Sequence, residues 1–256
     1  IAVPDTRQSG PDPNEPLYSA LGVAADWFAR RLREADDAAP ARAYLAGRAL
    51  DDAVRDQYQL GFAPARGEAM LEAMRALGID DGTLKGAGLV IEREGGAVVS
   101  RFRGRLIFPI ADARGRVVGF GGRLLGEGEP KYLNSPETPV FHKGTNLYGL
   151  DRARGAIRSE GLAVLVEGYV DVIRLQVAGI GIAVAPLCTA LTGEQARVLQ
   201  RYTKHVALAL DADTAGLRSS FRAGDELLRQ AVAVSVVTLP PGEDPDTLVQ
   251  RGGLPA

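Results

Sequence analysis

The stretch that most constrains this chain is Leu162-Ala-Val-Leu-Val-Glu167-Gly168, five apolar residues that stop at a carboxylate and a glycine. Such a run fits a strand buried on both faces, and its last two residues mark the turn from strand into helix. Glu167 therefore falls at a strand's C-terminal end. Asp171 comes four residues later, in the first turn of a helix that begins near Tyr169. The pattern recurs downstream, where residues 205–210 run into Asp211-Ala-Asp213 and residues 234–239 precede Glu243-Asp244-Pro-Asp246.

After Asp151 the order is strand, helix, strand, helix, strand, helix, strand, with strands expected near 162–167, 181–185, 206–211 and 234–239 and helices near 169–178, 193–203 and 214–230. Gly179 and Gly181 mark the first return from helix to strand, and Thr192 is the expected N-cap of the second helix. This alternation predicts a mainly parallel sheet with right-handed crossovers, in which every strand ends along one edge. Ligands of open parallel sheets bind there. One acid pair is accounted for by a helix cap, as Asp213 before Thr214 would be, but three groups of acids at one edge exceed what caps need. Hard oxygen donors without histidine or thiolate suit Mg²⁺ or Mn²⁺, and such sites usually serve substrate phosphates.

The first half reads differently. Residues 1–16 carry Pro4, Pro11, Pro13 and Pro16 and are expected to form an extended leader. Leu17 to Leu32 has apolar residues at helical spacing, with Arg30, Arg31 and Arg33 outward; shorter helices are expected over 41–50, 53–58 and 69–77, the second capped near Asp51-Asp52 and the last closed by Gly78. From about Gly88 short strands follow, over 89–91, 97–99, 106–110 and 117–120, and Ala113-Arg114-Gly115 has the length of a hairpin turn. Residues 130–144 read as loop-rich.

A net charge of −2 hides a strong segregation: residues 101–123 hold six arginines against one acid, Asp112. Arg101, Arg103 and Arg105 alternate, so an extended backbone would present all three on one side. Solvated surface arginines give the same pattern, but a solvating face normally mixes both signs. Lys131, Tyr132, Asn134 and Lys143 follow within reach of that face, with Tyr132 and Phe141 readable either as stacking rings or as core. The single cysteine, Cys188, forbids an internal disulfide, and with only His142 and His205 beside it no cysteine/histidine zinc site can form. No apolar run is long enough to span a bilayer. The first residue is Ile1 rather than methionine, so the sequence reads as a piece of something longer.

At these residues the chain resembles the catalytic core of bacterial DnaG-type DNA primases, and its second half resembles a Toprim domain. The resemblance rests on Arg101-Phe-Arg-Gly-Arg105-Leu-Ile-Phe-Pro-Ile, Gly115-Arg-Val-Val-Gly-Phe-Gly-Gly-Arg123, Pro130-Lys131-Tyr-Leu-Asn134-Ser-Pro, Phe141-His-Lys143-Gly, Glu167-Gly-Tyr-Val-Asp171-Val, Asp211-x-Asp213 and Glu243-Asp244-Pro-Asp246. It extends from about Leu17 to the end.

The implied fold is α/β: an N-terminal mixed α+β basic subdomain over 17–150, then a Toprim domain over 151–256 with a mainly parallel sheet flanked by helices. Glu167, Asp211 and Asp213 are then catalytic, and with Asp171, Asp244 and Asp246 they hold Mg²⁺ or Mn²⁺ and nucleotide phosphates, without zinc. Arg48, Arg101, Arg103, Arg105, Arg123, Lys131, Tyr132, Asn134 and Lys143 line a groove for nucleic acid. The implied activity is synthesis of RNA primers on a single-stranded DNA template from ribonucleoside triphosphates, by a monomeric core in the bacterial cytoplasm with no membrane association. The replicative helicase and single-strand binding protein are expected as partners of the full-length protein. The family's zinc-binding domain, helicase-binding domain and the helical subdomain after the Toprim part are not in this sequence. Family members commonly carry glycine where Ala212 and Cys188 stand here, and Cys188 is expected to be a buried neutral thiol. Two other readings use the same residues: a Toprim nuclease or topoisomerase-like fragment, and a non-catalytic nucleotide or nucleic-acid binding module.

Overall fold

The computed structural model describes residues 12–188, 190–210 and 214–238. The N-terminal half is a helix-covered antiparallel sheet. Helix α1 (Glu15–Glu34) starts two residues earlier than the apolar spacing predicts, because Pro16 sits in its first turn, where a missing N–H removes no helical bond. Pro16 therefore belongs to the helix and not to a leader. Ala20, Leu21, Ala24, Ala25, Phe28 and Leu32 are buried along one stripe of α1, while Arg30 and Arg33 stay exposed.

Helices α2 (Ala39–Gly47) and α3 (Asp52–Gln57) follow; Asp51 caps α3 by accepting from the Val54 N–H at 2.9 Å, as expected. Strand β1 (Gly61–Ala63) leads to α4 (Glu68–Ala76), closed by Gly78 at φ +79°, then α5 (Asp81–Gly86). Both β1 and α5 are too short to carry a readable period, and sequence reasoning missed them. Gly61 is required by contact, since a Cβ there would stand 2.5 Å from the Cβ of Phe28.

Strands β2 (Val90–Glu92) and β3 (Val98–Ser100) pair as a hairpin. Strands β4 (Arg105–Ala111), β5 (Val117–Leu124) and β6 (Tyr132–Asn134) join β1 in an antiparallel sheet of order β1-β4-β5-β6. The β4–β5 turn is the expected one, with the Asp112 carboxylate accepting from the N–H groups of Arg114 and Arg116. β6 corrects the expectation of a loop there: a three-residue strand is set by its pairing with β5. Phe28, Phe102 and Phe120 meet edge to face between α1 and this sheet, at centroid distances of 5.5 and 6.1 Å.

Among the described residues the second half forms a five-stranded sheet of order β11-β10-β8-β9-β7. Strands β7 (Leu147–Tyr148), β8 (Ala163–Leu165), β9 (Ala183–Pro186), β10 (His205–Leu208) and β11 (Ala233–Val236) alternate with helices α6 (Leu150–Glu160), α7 (Tyr169–Val177), α8 (Gly193–Gln200) and α9 (Thr214–Arg229). β8, β9, β10 and β11 run parallel, as the alternation predicts. β7 pairs antiparallel with β9 and, with α6, was not legible in the sequence. Thr192 caps α8 and forms a reciprocal box with Gln195, whose side-chain amide donates to the carbonyls of Lys143 and Asn146.

The two halves share a core, in which Phe108 and Ile110 of β4 cluster with Tyr169, Val172 and Ile173 of α7. Among the described residues no helix is long and apolar enough to cross a membrane.

Candidate active site

β8 lies between β9 and β10, and Leu165 and Val166 are buried completely or nearly so. The next side chain, Glu167, is exposed. It stands where the chain leaves the sheet: Val166 N–H still donates to the Val184 carbonyl, and Gly168, extended at φ −129°, begins the turn into α7. Asp171 holds that turn, because its Oδ2 accepts from the Gly168 N–H at 2.9 Å. A carboxylate at this position also faces the positive end of the helix. Asp171 is thus seen capping α7, directly behind Glu167.

Glu167 opens on a cavity of about 440 Å³ at the C-terminal edge of the parallel strands. Pro186 and Cys188 line it from the β9 side, Leu210 from the β10 side, and Arg218, Ser219 and Arg222 from α9. Cys188 is exposed, which corrects the expectation of burial: it follows the end of β9 on the rim of the cavity. The thiol is nonetheless neutral, since partial burial raises its pKa and outweighs the opposing pull of Lys143. Asp211, Asp213, Asp244 and Asp246 lie outside the described residues. Among the described residues no group of three or more His, Cys, Asp or Glu side chains is gathered as a metal site.

The expected basic face is built differently from its sequence pattern. Gly104 adopts φ +60° between Arg103 and Arg105, so the backbone is not extended through the three arginines and they do not share one side. Arg103 is exposed. Arg105 is only 6% exposed and donates to the Gly122 carbonyl at 3.0 Å. Arg101 is half-buried and donates twice to the Asn134 carbonyl, at 3.1 and 2.8 Å. Burial lowers the pKa of Arg101 and is the main effect lowering that of Arg105. Two of the three therefore tie the sheet together.

Asn134 is likewise engaged on both ends of its amide, donating to the Leu187 carbonyl at 2.8 Å and accepting from the Tyr169 hydroxyl at 2.7 Å. It bridges β6 to the loop after β9. Phe141 is core, with no exposed surface. What remains open on this side is Lys131, Tyr132, Arg103 and a stacked group that includes Arg123. The Arg123 guanidinium lies 4.5 Å from the Tyr44 ring centroid and 5.3 Å from that of Tyr132, and it donates to the Tyr132 hydroxyl at 2.7 Å. Arg48 covers Tyr44 at 5.9 Å. Lys143 is half-buried beside the α8 cap.

Tyr169, two residues past Glu167 in the chain, packs against this cationic, aromatic surface. Its ring stacks on Phe108 at 5.0 Å, meets Tyr148 edge-on at 4.7 Å and approaches Tyr132 at 6.0 Å. Gly121 of β5 makes room for it: a Cβ there would come within 2.5 Å of the tyrosine ring. Burial keeps the Tyr169 hydroxyl protonated, far above the ordinary tyrosine range. Sequence reasoning missed Tyr44, Tyr169, Arg218 and Arg222. Tyr44 with Arg48, and Arg218 with Arg222, are separated by four residues on helices, which is the one signal that could have found them.

Residues 27–154 match the family model described as DNA primase catalytic core, N-terminal domain, and residues 164–249 match the Toprim-like model. The DNA primase of Halalkalibacterium halodurans is 42% identical over 240 residues, covering 93% of this chain and 40% of that protein. The chain thus spans about two fifths of that relative's length. The solved zinc-binding and RNA polymerase domains of the Aquifex aeolicus primase superpose with a TM-score of 0.87 at 38% identity, over 94% of this chain and 59% of that one. A DnaG primase catalytic domain bound to ssDNA superposes at 0.81, also 38% identical, over 94% and 78%.

Proposed function

The chain belongs to the bacterial DnaG-type DNA primases, and from that premise we propose that it copies single-stranded DNA into short RNA primers from ribonucleoside triphosphates. The observation that carries this reading is the position of Glu167, an exposed carboxylate at the end of a buried strand, on a cavity also lined by Arg218 and Arg222 and two residues before Tyr169, whose ring meets the cationic, aromatic surface. The first half, 17–150, serves as the template and primer groove. The second, 151–256, binds metal and nucleotide.

In this reading Glu167, Asp211 and Asp213 are the catalytic carboxylates, and with Asp171, Asp244 and Asp246 they hold Mg²⁺ or Mn²⁺. The donor chemistry fits a hard cation, because Glu167 offers carboxylate oxygen and the nearby thiol of Cys188 is neutral. Such a cation, when bound, activates an attacking hydroxyl and offsets charge on the leaving phosphates. The rest falls to the chain itself. Arg103, Arg123, Lys131, Tyr132, Arg48 and Lys143 hold template and product by charge and stacking. Arg101, Arg105 and Asn134 act indirectly, by keeping β4 to β6 and the loop after β9 in register. The primer's 3′ hydroxyl attacks the α-phosphate, a phosphodiester forms, the α–β anhydride breaks and the hydroxyl proton leaves to water.

The solved relative bound to ssDNA supports a single-stranded template as partner. The replicative helicase and single-strand binding protein are proposed partners of the full-length protein, acting with it at replication forks in the bacterial cytoplasm. The test is incorporation of labelled ribonucleotides on a single-stranded template with Mg²⁺. Glu167→Gln is expected to lower the rate by about a hundredfold or more, the scale of losing several kcal/mol of charge stabilisation, while template affinity stays within about twofold. An unchanged rate would remove Glu167 from the chemistry. Template cleavage in place of synthesis would assign the carboxylates to hydrolysis.

A further inference from the structure

α9 leaves the sheet edge next to the cavity with its rotation set by packing, since Ala223 and Leu227 are buried at 2% and 0% exposure. That rotation turns Arg218 and Arg222, one helical turn apart, onto the cavity wall with Ser219 between them. The third basic residue near the helix end, Arg229, is occupied by Glu226 at 2.6 Å. No carboxylate partner for Arg218 or Arg222 is present among the described residues, and Glu167 lines the same cavity. A volume of about 440 Å³ is in the range of a nucleotide-sized ligand. Planar guanidinium groups bind phosphate oxygens through paired N–H donors, and two of them one turn apart match an extended polyanion better than a single phosphate.

We propose that Arg218 and Arg222, with the Ser219 hydroxyl, bind the β- and γ-phosphates of the incoming nucleoside triphosphate and retain the pyrophosphate that departs. This rests on the primer-synthesis reading and adds to it the side of the cavity from which the leaving group is held. Glu167 lines the same cavity, and in this arrangement it serves the α-phosphate while the two guanidinium groups hold the departing end.

The experiment is calorimetric titration of the 256-residue chain with inorganic pyrophosphate in the presence of Mg²⁺. The wild type is expected to take up one pyrophosphate per chain. The double variant Arg218→Ala with Arg222→Ala should bind it at least about tenfold more weakly, the loss of two hydrogen-bonded charges, and the double lysine variant should fall between them. Affinity for single-stranded DNA, within about twofold of wild type in all three, serves as the fold control and separates this role from general electrostatic attraction. Pyrophosphate uptake that is absent in the wild type, or equal in the double alanine variant, would overturn the proposal. A wild type that makes primers while the alanine variant still binds pyrophosphate normally sinks this inference alone. A wild type that makes no primers, yet binds pyrophosphate in a way the double alanine variant does not, sinks the primer-synthesis reading and leaves the arginines as a pyrophosphate site.

Discussion

Arg103 and Arg105 are two residues apart and identical in chemistry, yet a single glycine gives them opposite tasks. Gly104 at φ +60° turns the chain, so Arg105 points into the sheet and donates to the Gly122 carbonyl, while Arg103 stays in water. Arg105→Ala is expected to destabilise the fold by about 1.5–3 kcal/mol, the value of a buried charge-assisted bond, seen as a lower denaturation midpoint. Arg103→Ala should leave stability within about 0.5 kcal/mol but weaken single-stranded DNA binding and flatten its salt slope by about one unit or less. Equal effects of the two substitutions on stability would mean that Arg105 is not the strut its contacts describe. Gly121 belongs to the same scale, because the Tyr169 ring occupies the space a methyl group would need.

At the level of elements, the helix starts do most of the positioning. α7 begins where Asp171 caps Gly168, which fixes the direction of Glu167; α8 begins where Thr192 and Gln195 cap each other, which ties down the loop carrying Lys143. α6 is the exception, since Gly149 at φ +78° supplies no side-chain cap and Asp151 in its first turn is largely buried beside Tyr148 and Arg152. Burial raises the Asp151 pKa above the ordinary 3.8, outweighing Arg152. The folded state therefore binds this proton more tightly than the unfolded state, so the charged form costs stability above that range. Compared with Asp151→Asn, the wild type should gain stability as pH falls from neutral toward 3.8, the penalty being absent below it. Parallel melting-temperature curves for the two proteins across that window would contradict the sign.

On the scale of the whole molecule, the two halves are welded rather than hinged. Tyr58 donates to the Gln176 side chain at 2.9 Å, Arg174 to the Ala49 carbonyl at 3.1 Å, and Asn134 to the Leu187 carbonyl at 2.8 Å, all around a core to which both halves contribute. Unfolding is expected in one cooperative transition. The chain offers a built-in test, because its only tryptophan, Trp27, lies on α1 against Phe28 and reports the first half alone. Its fluorescence midpoint in urea should coincide with the loss of helical circular dichroism, to which both halves contribute. Two separated midpoints would show that the shared core does not couple them.

The parallel sheet, the position of Glu167 at its edge, the capping roles of Asp51 and Thr192 and the turn before Arg116 were all legible in the sequence. Each depends on apolar period, on a polar residue acting on backbone within three or four positions, or on glycine, and such short-range physics is written in the order of residues. The burial of Arg105, the bridging of Asn134, the stacking of Tyr44 on Arg123 and the meeting of Tyr169 with Gly121 were decided only by tertiary structure. They join residues tens of positions apart, and which side of a strand faces a partner depends on a pairing that no local pattern contains.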